Sequence, residues 1–414
     1  ALDNNVLSIL VGHEPLSPDV AATCGFDSGQ GELLAFRHLY SYDFSLMSSD
    51  VMGAVYEKFL AHKLSQNGGR IVIEDTDELR KQEGNYYTPR YIVDYIVAHT
   101  LGEKIKPVLA EAKALLGYKN FKGAFEKIHE LSQIKVLDPA MGSGSFLLGA
   151  FDTLVAAYEN YNAECEKQKR NGGNDRDSGD ALFDAPVAKP RPVERLGSIV
   201  VSENLFGVDL DAQAVEVAKL NLWIRLMAAE KDSLRMKLHD PNKGKEPRNL
   251  LPALNANFKR GNSLIADQAV AGDAAFDWQK EFPETMKRGG FDVVIGNPPY
   301  ERIQTMMGNA PQIVEFLKAN YRSAASGNFD IYVCFIERGL ELLNADGQFG
   351  YICPNKFFQA EYGRELRMLL TEQKHVREIL SFGDQQVFPQ ATTYTCLLFL
   401  QKQPREKPVY VKVD

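Results

Sequence analysis

The chain has 414 residues, enough for one large α/β domain with an accessory region. Hydrophobic residues make up 44% and charged residues 25% of it, as in ordinary soluble proteins, and neither a membrane-spanning run nor a signal peptide is visible. A net charge of −8 argues against a protein that coats nucleic acid without sequence preference, although it leaves room for a local basic groove. The five cysteines have no paired spacing, so neither a zinc site nor a disulfide framework is indicated and a reducing cytoplasm fits.

The N-terminal part of the chain, up to about residue 130, is predicted to be mostly helical. Asp50 can cap an amphipathic helix whose apolar stripe includes Val51, Val55 and Phe59. No cluster of carboxylates and lysine typical of a nuclease stands out there. We assign residues 1–80 to a helical connector region and residues 81–414 to a catalytic domain. Because residue 1 is Ala, we expect the chain to be a processed or excised piece.

The segment Gly84-Asn-Tyr-Tyr-Thr-Pro-Arg90 leads into a predicted helix. Thr88 can cap this helix and Pro89 can occupy its first position. Its buried stripe is predicted to contain Tyr91, Ile92, Tyr95 and Ile96. By pattern alone, this segment is an ordinary capped helix.

A predicted strand at residues 134–137 is followed by Asp138-Pro-Ala-Met-Gly-Ser-Gly144 and an apolar helix. Gly142 and Gly144 allow the backbone to approach a ligand closely, and a helix N-terminus favours a carboxylate. The loop contains no Lys and no full dinucleotide fingerprint, which argues against ATP or NAD. A zwitterionic ligand fits better, with Asp138 holding an ammonium group and the loop amides a carboxylate. A plain tight turn between strand and helix is the alternative.

The polar residues 164–195 are predicted to form a flexible surface insertion. The sheet resumes at residues 205–209, where Asp209 ends a strand and can accept both ribose hydroxyls of a nucleoside. An acidic residue after a strand is common. Its position one strand–helix unit after the glycine-rich loop gives Asp209 its weight, and Asp211 is predicted to cap the next helix.

Residues 231–260 are rich in Lys and Arg, so they suit either a phosphate-contacting loop or a solvated one. A short strand-to-loop element follows at residues 259–264. Within it, Asn262 can read the edge of an adenine.

Residues 291–295 form an apolar, β-branched run that predicts a buried central strand, and Asn297-Pro-Pro-Tyr300 follows at its carboxyl end. An amine on a nucleobase is a poor nucleophile because its lone pair is delocalised into the ring. The Asn297 side-chain oxygen and the Pro298 carbonyl can accept both amine hydrogens and free that lone pair. Pro299 stiffens the loop and Tyr300 offers a flat face for stacking. A simple strand-to-loop turn is the alternative.

Further elements are predicted after this loop. Residues 328–335 open a helix, and by default Phe335 is a core aromatic residue of it. Phe388 is likewise a core aromatic by default. The other predicted elements are a strand at 349–353, a helix at 362–372, a strand at 378–382 and an alternating strand at 394–401.

Taken together, these segments resemble the gamma-class DNA amino-methyltransferases, which use S-adenosylmethionine to make N6-methyladenine. The resemblance covers roughly residues 80–402. It rests on six motifs in the family's order, namely Tyr86-Tyr-Thr-Pro-Arg90, Asp138-Pro-Ala-Met-Gly-Ser-Gly144, Gly207-Val-Asp-Leu-Asp211, Gly261-Asn-Ser-Leu264, Asn297-Pro-Pro-Tyr300 and Val387-Phe-Pro-Gln390.

The resemblance implies a cofactor site and a target-base site. The residues implied to surround the methionine part of the cofactor are Thr88, Asp138, Ala140 and Gly142. Asp209 is implied at the ribose, where some relatives have Glu, and Asn262 and Phe335 at the adenine. Many relatives have Asp where this chain has Asn262, but an amide can still accept from the adenine amine. The residues implied to hold the flipped target base are Asn297, Pro298, Pro299 and Tyr300, with Phe388 packing on its other side.

The motif spellings are closest to those of large single-chain restriction-and-modification enzymes and related phage-defence methylases. The resemblance implies a Rossmann-like S-adenosylmethionine-dependent methyltransferase sheet with helices on both faces, preceded by the helical N-terminal region. In that group the chain continues into a target-recognition domain, whereas this sequence ends at Asp414, so we expect that domain outside this chain. An N-terminal nuclease can lie outside it as well.

The resemblance implies adenine-N6 methylation of double-stranded DNA by base flipping in a bacterial or archaeal cytoplasm, with no metal and no membrane. Three alternatives stay open: N4-cytosine methylation, methylation of a protein glutamine, and a non-catalytic module of a defence complex. The N4-cytosine enzymes more often have Ser in place of Asn297. With a net negative charge and no recognition domain, we expect the chain to bind DNA weakly and to lose affinity with salt.

Overall fold

The computed structural model describes residues 62–67, 70–75, 88–171, 189–230, 252–383, 385, 387 and 394–413, the first two ranges by their backbone only. These residues belong to the compact unit Gly53–Asp414. The predicted helix after Asp50, the middle of the predicted insertion, most of the basic segment and Phe388 lie outside the described residues.

The strands form a hairpin and a larger sheet. Their bounds are β1 His62–Asn67, β2 Arg70–Asp75, β3 Val136–Asp138, β4 Leu205–Asp209, β5 Phe258–Arg260, β6 Phe291–Gly296, β7 Leu343–Pro354, β8 Val376–Ser381, β9 Thr395–Gln401 and β10 Val409–Lys412. β1 and β2 pair antiparallel with each other. The other strands form an eight-stranded sheet in the order β10-β8-β9-β7-β6-β3-β4-β5. Only β9 runs antiparallel to its neighbours in this sheet.

The α-helices of the described residues connect these strands. Their bounds are α1 Arg90–His99, α2 Leu101–Gly117, α3 Phe121–His129, α4 Ser145–Asn171, α5 Leu196–Ile199, α6 Ala212–Ala229, α7 Gln268–Ala271, α8 Trp278–Glu281, α9 Pro283–Lys287, α10 Ile303–Asn309, α11 Pro311–Asn320, α12 Tyr332–Leu342 and α13 Arg364–Glu372. None of them is both long and apolar enough to span a bilayer.

Each face of the sheet is covered by its own apolar core. Val136 and Val293 point into a core shared with α1, α2, α4 and α6. Leu137 and Val294, one position along the same strands, belong to a second core with α11, α12 and α13. Successive residues of a strand face opposite sides of a sheet. Central parallel strands are therefore apolar at every position, and the predicted Rossmann-like sheet with helices on both faces is confirmed.

The strand order places one crevice at the centre of the sheet. β3 pairs with β4 on one side and with β6 on the other, both parallel. The chain therefore builds the sheet outward from β3 on both sides, first through β4 and later through β6. Ligands of open α/β sheets bind at the carboxyl ends of the strands where the strand order reverses in this way. The residues that follow β3, β4 and β6 line this crevice.

The start of α1 differs from the prediction. Pro89 is the N-cap residue, and its carbonyl accepts from Ile92 and Val93, so Thr88 precedes the helix and its side chain does not cap it. Tyr91 is 62% exposed. The apolar positions of α1 follow the pair spacing Ile92, Val93, Ile96 and Val97. The buried side of α1 is therefore centred on these four residues, and Tyr91 lies at the edge of that side.

Three boundaries also differ. β1 and β2 form a hairpin in a region predicted to be mostly helical. α4 continues to Asn171, so the predicted insertion cannot begin at residue 164. Residues 164–171 of α4 carry ion pairs one helical turn apart, such as Lys167 with Glu164. So polar a sequence suits a solvent-exposed helix as well as a loop. β10 was not predicted, and its residues are exposed at the edge of the sheet.

Candidate active site

Residues from distant parts of the chain meet at the crevice through a series of direct contacts. The loop after β3 bonds to Asp209 at the end of β4, since Gly142 N donates to Asp209 Oδ2 at 2.8 Å. The same loop bonds to the loop after β5, since Ser263 Oγ donates to the Pro139 carbonyl at 2.6 Å. The structure therefore brings together the glycine-rich loop, Asp209 and the segment containing Asn262.

The two glycines of the loop after β3 have different roles. Gly142 and Gly144 both have positive φ, 52° and 87°. A Cβ on Gly144 would lie 3.2 Å from the Cβ of Ala218 in α6, so Gly144 permits close packing of that helix. A Cβ on Gly142 would meet no atom within 4 Å. Gly142 therefore borders open space, as a loop that receives a ligand requires.

Asp138 is buried beside this loop, with 1% of its surface exposed. Ala140 N donates to its Oδ1 at 3.1 Å. Burial raises the pKa of Asp138 to about 8, and the negative charge of Asp209 adds to the rise, while the Ala140 hydrogen bond opposes it. An unpaired buried carboxyl of this kind gains a partner when a cation binds. Its position suits the ammonium group of a zwitterionic ligand.

Asp209 is half-buried and is held by backbone groups on both oxygens. Gly142 N reaches Oδ2, and Asp211 N donates to Oδ1 at 2.9 Å. Burial raises the pKa of Asp209. Each oxygen still has acceptor capacity, which suits a pair of vicinal hydroxyls. Because the Gly142 N–H is committed to Asp209, it is not among the loop amides that can hold a ligand carboxylate.

Asn262 presents a donor where the sequence suggested an acceptor. Its Oδ1 accepts from Leu264 N at 3.0 Å in a local turn. No hydrogen bond from its Nδ2 to another described residue is found. The free end suits a ring nitrogen of an adenine better than the amine. Phe335 in α12 is 7% exposed and belongs to the same apolar core as Leu264 and Ile265.

Asn297 lies directly after β6 and joins Thr88 to Tyr300. Its Nδ2 donates to Thr88 Oγ1 at 3.2 Å, and its Oδ1 accepts from the Tyr300 hydroxyl at 2.5 Å. The Tyr300 hydroxyl also lies 3.3 Å from the Ile352 carbonyl of β7. Thr88, which precedes α1, is 4% exposed. Three segments, namely the one before α1, the loop after β6 and strand β7, are thus joined by hydrogen bonds that side chains donate.

Gly296, the last residue of β6, allows that strand to pass close to the end of β3. A Cβ at this position would lie 2.7 Å from Asp138 Oδ1. The end of β6 therefore passes close to the buried carboxyl at the end of β3. Pro298 is buried, and no described residue donates to its carbonyl. That carbonyl and the Asn297 oxygen are two acceptors one residue apart.

Sequence reasoning missed three residues that support the site. Ser263 is buried and bonded to Pro139, and a small polar residue after Asn262 was the available signal. The Tyr332 hydroxyl lies 3.0 Å from that of Tyr362, and its ring stands edge-on to Tyr300 with centroids 6.2 Å apart. No local pattern marks these tyrosines, because their partners are distant in sequence.

The chain is similar in sequence to known restriction-modification methylases. Residues 203–388 match the family described as Eco57I restriction-modification methylase. The type II restriction enzyme and methyltransferase RM.Eco57I of Escherichia coli is 30% identical over 375 residues, which cover 90% of this chain and 33% of that protein. The adenine-specific methyltransferase PglX of Streptomyces coelicolor is 24% identical over 307 residues, covering 70% of this chain and 21% of that protein. The chain thus spans about a third or less of the length of these relatives.

The fold is shared with solved restriction-modification enzymes. The type IIL enzyme MmeI, solved with DNA, superposes with a TM-score of 0.60 at 16% identity over 92% of this chain and 43% of that one. The type ISP enzyme LlaBIII, also bound to DNA, gives a TM-score of 0.53 at 14% identity over 100% of this chain and 25% of that one. The motifs, the matched residues 203–388 and the shared fold make this chain similar to the Eco57I restriction-modification methylases.

Proposed function

We propose that the chain is the catalytic part of a site-specific DNA methyltransferase that transfers a methyl group from S-adenosylmethionine to N6 of an adenine. The observation that carries this proposal is the placement of Asn297. Its carboxamide follows β6 directly, beside the Pro298 carbonyl, and Gly296 keeps this loop in contact with Asp138 at the end of β3. A methyl-acceptor site and a cofactor site therefore adjoin.

The residues on the β3–β5 side fit S-adenosylmethionine. The ligand carries an ammonium group, which suits the buried Asp138, and a ribose, which suits Asp209. Open space at Gly142 leaves room for its methionine part, to which we also assign Ala140 and Thr88. Asn262 and Phe335 are the residues we assign to the adenine, with Asn262 donating through Nδ2. When bound, this cofactor supplies the methyl group on a sulfonium sulfur.

On the acceptor side, Asn297 Oδ1 and the Pro298 carbonyl accept the two hydrogens of the target amine. Two acceptors on one amine favour a tetrahedral nitrogen and localise its lone pair. That lone pair would form the new bond to the methyl carbon as the carbon–sulfur bond breaks and the sulfur keeps its electron pair. The amine proton leaves to solvent along one of these hydrogen bonds. Tyr300 stacks on the base, while Pro299 keeps the loop stiff. Phe388 is the residue we assign to the other face of the base. Positioning and polarisation supply the catalysis.

The described cysteines give no support to a thiolate mechanism. Cys165, Cys334, Cys353 and Cys396 are all buried. Burial raises the pKa of Cys353 and Cys334, so both stay protonated thiols. Methylation of cytosine at C5 needs an attacking thiolate in the site, and none of these four residues provides one.

We further propose double-stranded DNA as the partner of the whole protein, with target recognition and any nuclease supplied by parts outside these 414 residues. The relatives RM.Eco57I and PglX are about three or more times longer than their match to this chain, which supports such additional parts. For the chain alone we expect weak, salt-sensitive DNA binding. Nanomolar affinity for duplex DNA that is unchanged between low and high salt would contradict this.

The test is methyl transfer from labelled S-adenosylmethionine to mixed-sequence DNA by the full protein, beside Asn297→Ala. The DNA is digested afterwards and the labelled nucleoside is identified by mass. We expect label on adenine N6, and a rate at least about a hundredfold lower for the variant, the usual cost of removing one preorganised polar group from a site. Cofactor binding by calorimetry is expected to be the same for both proteins.

Three other results of this experiment would each support a different function. Label on cytosine N4 would replace adenine with cytosine as the target. Label on protein and none on DNA would point to glutamine methylation. Cofactor binding without any transfer in the presence of DNA and protein substrates would leave a non-catalytic module of a defence complex.

A further inference from the structure

The orientation of the Asn297 carboxamide decides whether the proposed site can work. The oxygen of this group accepts a target hydrogen, whereas its nitrogen would present hydrogens to the amine and repel it. The two ends have nearly the same shape, so packing alone does not choose between them. A hydrogen-bonding partner must do so.

The contact distances distinguish the two ends. The atom of Asn297 nearest the Tyr300 hydroxyl lies 2.5 Å away, within the range of O–H···O bonds and too short for N–H···O. The atom nearest Thr88 Oγ1 lies 3.2 Å away, as expected for N–H···O. The nitrogen is therefore committed to Thr88, and the oxygen is the end left to a target amine.

Thr88 itself is held in a fixed position by the packing of α1. A Cβ on Gly149 of α4 would lie 2.7 Å from Val93 Cγ1. A Cβ on Gly350 of β7 would lie 2.9 Å from Ile96 Cγ2. These glycines let α1 pack closely against α4 and β7, so the segment just before α1 cannot shift freely.

A partly exposed ion-pair cluster fixes the first turn of α1. Arg90 Nη2 donates to Asp152 Oδ2 of α4 at 2.7 Å. Arg225 of α6 donates to both oxygens of the same carboxylate, from Nε at 2.7 Å and from Nη2 at 2.9 Å. The bidentate geometry holds Asp152 in one orientation. Arg90, two residues after Thr88, is thereby tied to two other helices.

We propose that Thr88 is a positioning residue for methyl transfer, acting through Asn297, in addition to any contact it makes with the cofactor. This inference rests on the proposed function. The Thr88 oxygen accepts from Asn297 Nδ2, while the hydroxyl hydrogen of Thr88 remains able to donate to the cofactor. One hydroxyl group thus links the cofactor site to the acceptor amide, and it fixes which end of that amide meets the target.

The test compares Thr88→Val, which keeps the shape of the side chain, with Thr88→Ser, which keeps the hydroxyl. The measured quantities are the single-turnover methyl-transfer rate of the full protein at saturating S-adenosylmethionine and DNA, and the cofactor Kd by calorimetry. Valine leaves a part-buried N–H without its acceptor, so we expect its saturated rate to fall about ten- to hundredfold. Serine is expected within about threefold of the wild type in both quantities.

Crystal structures of the wild type and of Thr88→Val supply a second measurement that needs neither DNA nor turnover. We expect the Asn297 carboxamide to be rotated or split between two rotamers in the valine variant. An unchanged saturated rate, with only a weaker cofactor Kd, would overturn the inference and leave Thr88 as a cofactor ligand. An unchanged carboxamide in Thr88→Val would overturn it as well. A wild type that transfers no methyl group to DNA would instead refute the proposed function, and the crystallographic result would still decide the inference.

Discussion

The two sides of the crevice are held together by different kinds of contact. The cofactor side consists of the loops after β3, β4 and β5, and its contacts are made by backbone groups, such as Gly142 N to Asp209 Oδ2. The acceptor side consists of Thr88 and residues 297–300, and its contacts join side chains, such as Asn297 Nδ2 to Thr88 Oγ1. The cofactor side therefore depends on backbone conformation and on one buried carboxyl group. The acceptor side depends on individual hydroxyl and amide groups.

The largest effect is expected at Asp138, the buried carboxyl group of the cofactor side. Its folded pKa of about 8 lies above the ordinary value of 3.8, so the ligand-free fold retains a proton that the unfolded chain releases. Stability from this group is present at low pH and is lost as pH rises from about 4 to about 8, at about 1.4 kcal/mol per pH unit.

Asp138→Asn removes this dependence while keeping the shape of the side chain. We expect the variant to gain about 4 kcal/mol over the wild type between pH 5 and pH 8. Urea unfolding of both proteins without cofactor, at steps across that range, measures the difference. Parallel pH curves for the two proteins would show that Asp138 is already ionised in the fold.

The next effect is expected at Gly142, where backbone conformation matters to the cofactor side. Gly142→Ala places a methyl group in the open space of the loop. We therefore expect the cofactor Kd to rise about tenfold to a hundredfold, a loss of about 1.4–2.8 kcal/mol of binding free energy. Gly272→Ala is the matched control. Gly272 has a φ of 55° against 52° for Gly142, and its Cβ would also meet nothing within 4 Å.

Both alanine variants place a side chain at a positive φ and should lose about 1 kcal/mol or more of stability, with the larger loss at Gly272, whose ψ of −134° lies outside the left-handed helical region. Only Gly142→Ala should change the cofactor Kd. Equal Kd values for the two variants would mean that the open space at Gly142 is not part of the cofactor site.

A similar comparison tests the packing that places the acceptor side. Gly149→Ala would bring a Cβ to 2.7 Å from Val93 in α1, and we expect a loss of about 1–3 kcal/mol in unfolding free energy. Gly117→Ala, at the end of α2, meets nothing within 4 Å and should be neutral or stabilising by up to about 1 kcal/mol. Thermal unfolding of both variants measures this difference. Equal melting temperatures would show that α1 is free to shift.

The smallest effect is expected for the hydroxyl of Tyr300. Tyr300→Phe keeps the ring but removes the hydrogen bond to Asn297 Oδ1. We expect the transfer rate to fall about fivefold, which corresponds to about 1 kcal/mol of activation free energy. Tyr300→Ala also removes the stacking surface, worth about 1–3 kcal/mol per base. Fluorescence of 2-aminopurine at the target position reports base extrusion, which the phenylalanine variant should retain. If phenylalanine is as damaging as alanine, the hydroxyl rather than the ring is what the base requires.

Residues whose role depends on near neighbours were predictable from the sequence. The strand at Leu205–Asp209 and the cap of the following helix by Asp211 were both expected and are both present. The apolar run at Phe291–Gly296 gave a central strand because parallel strands are buried on both faces. The glycine-rich loop and Asn297-Pro-Pro-Tyr300 follow their strands directly, so the fold class and the family could be inferred from local patterns.

Contacts between distant segments were decided only by the tertiary structure. Thr88 looked like a helix cap, yet its oxygen accepts from Asn297, 209 positions further along the chain. Asn262 was expected to accept from an adenine amine; its oxygen already accepts from Leu264 N in its own turn, and its Nδ2 adds a donor to this position. Tyr91 was expected in the core and is exposed, because the phase of the buried stripe depends on what α1 packs against. Local spacing determines which residues follow a strand or face a helix stripe, but a hydrogen bond between two loops depends on how the whole sheet is assembled.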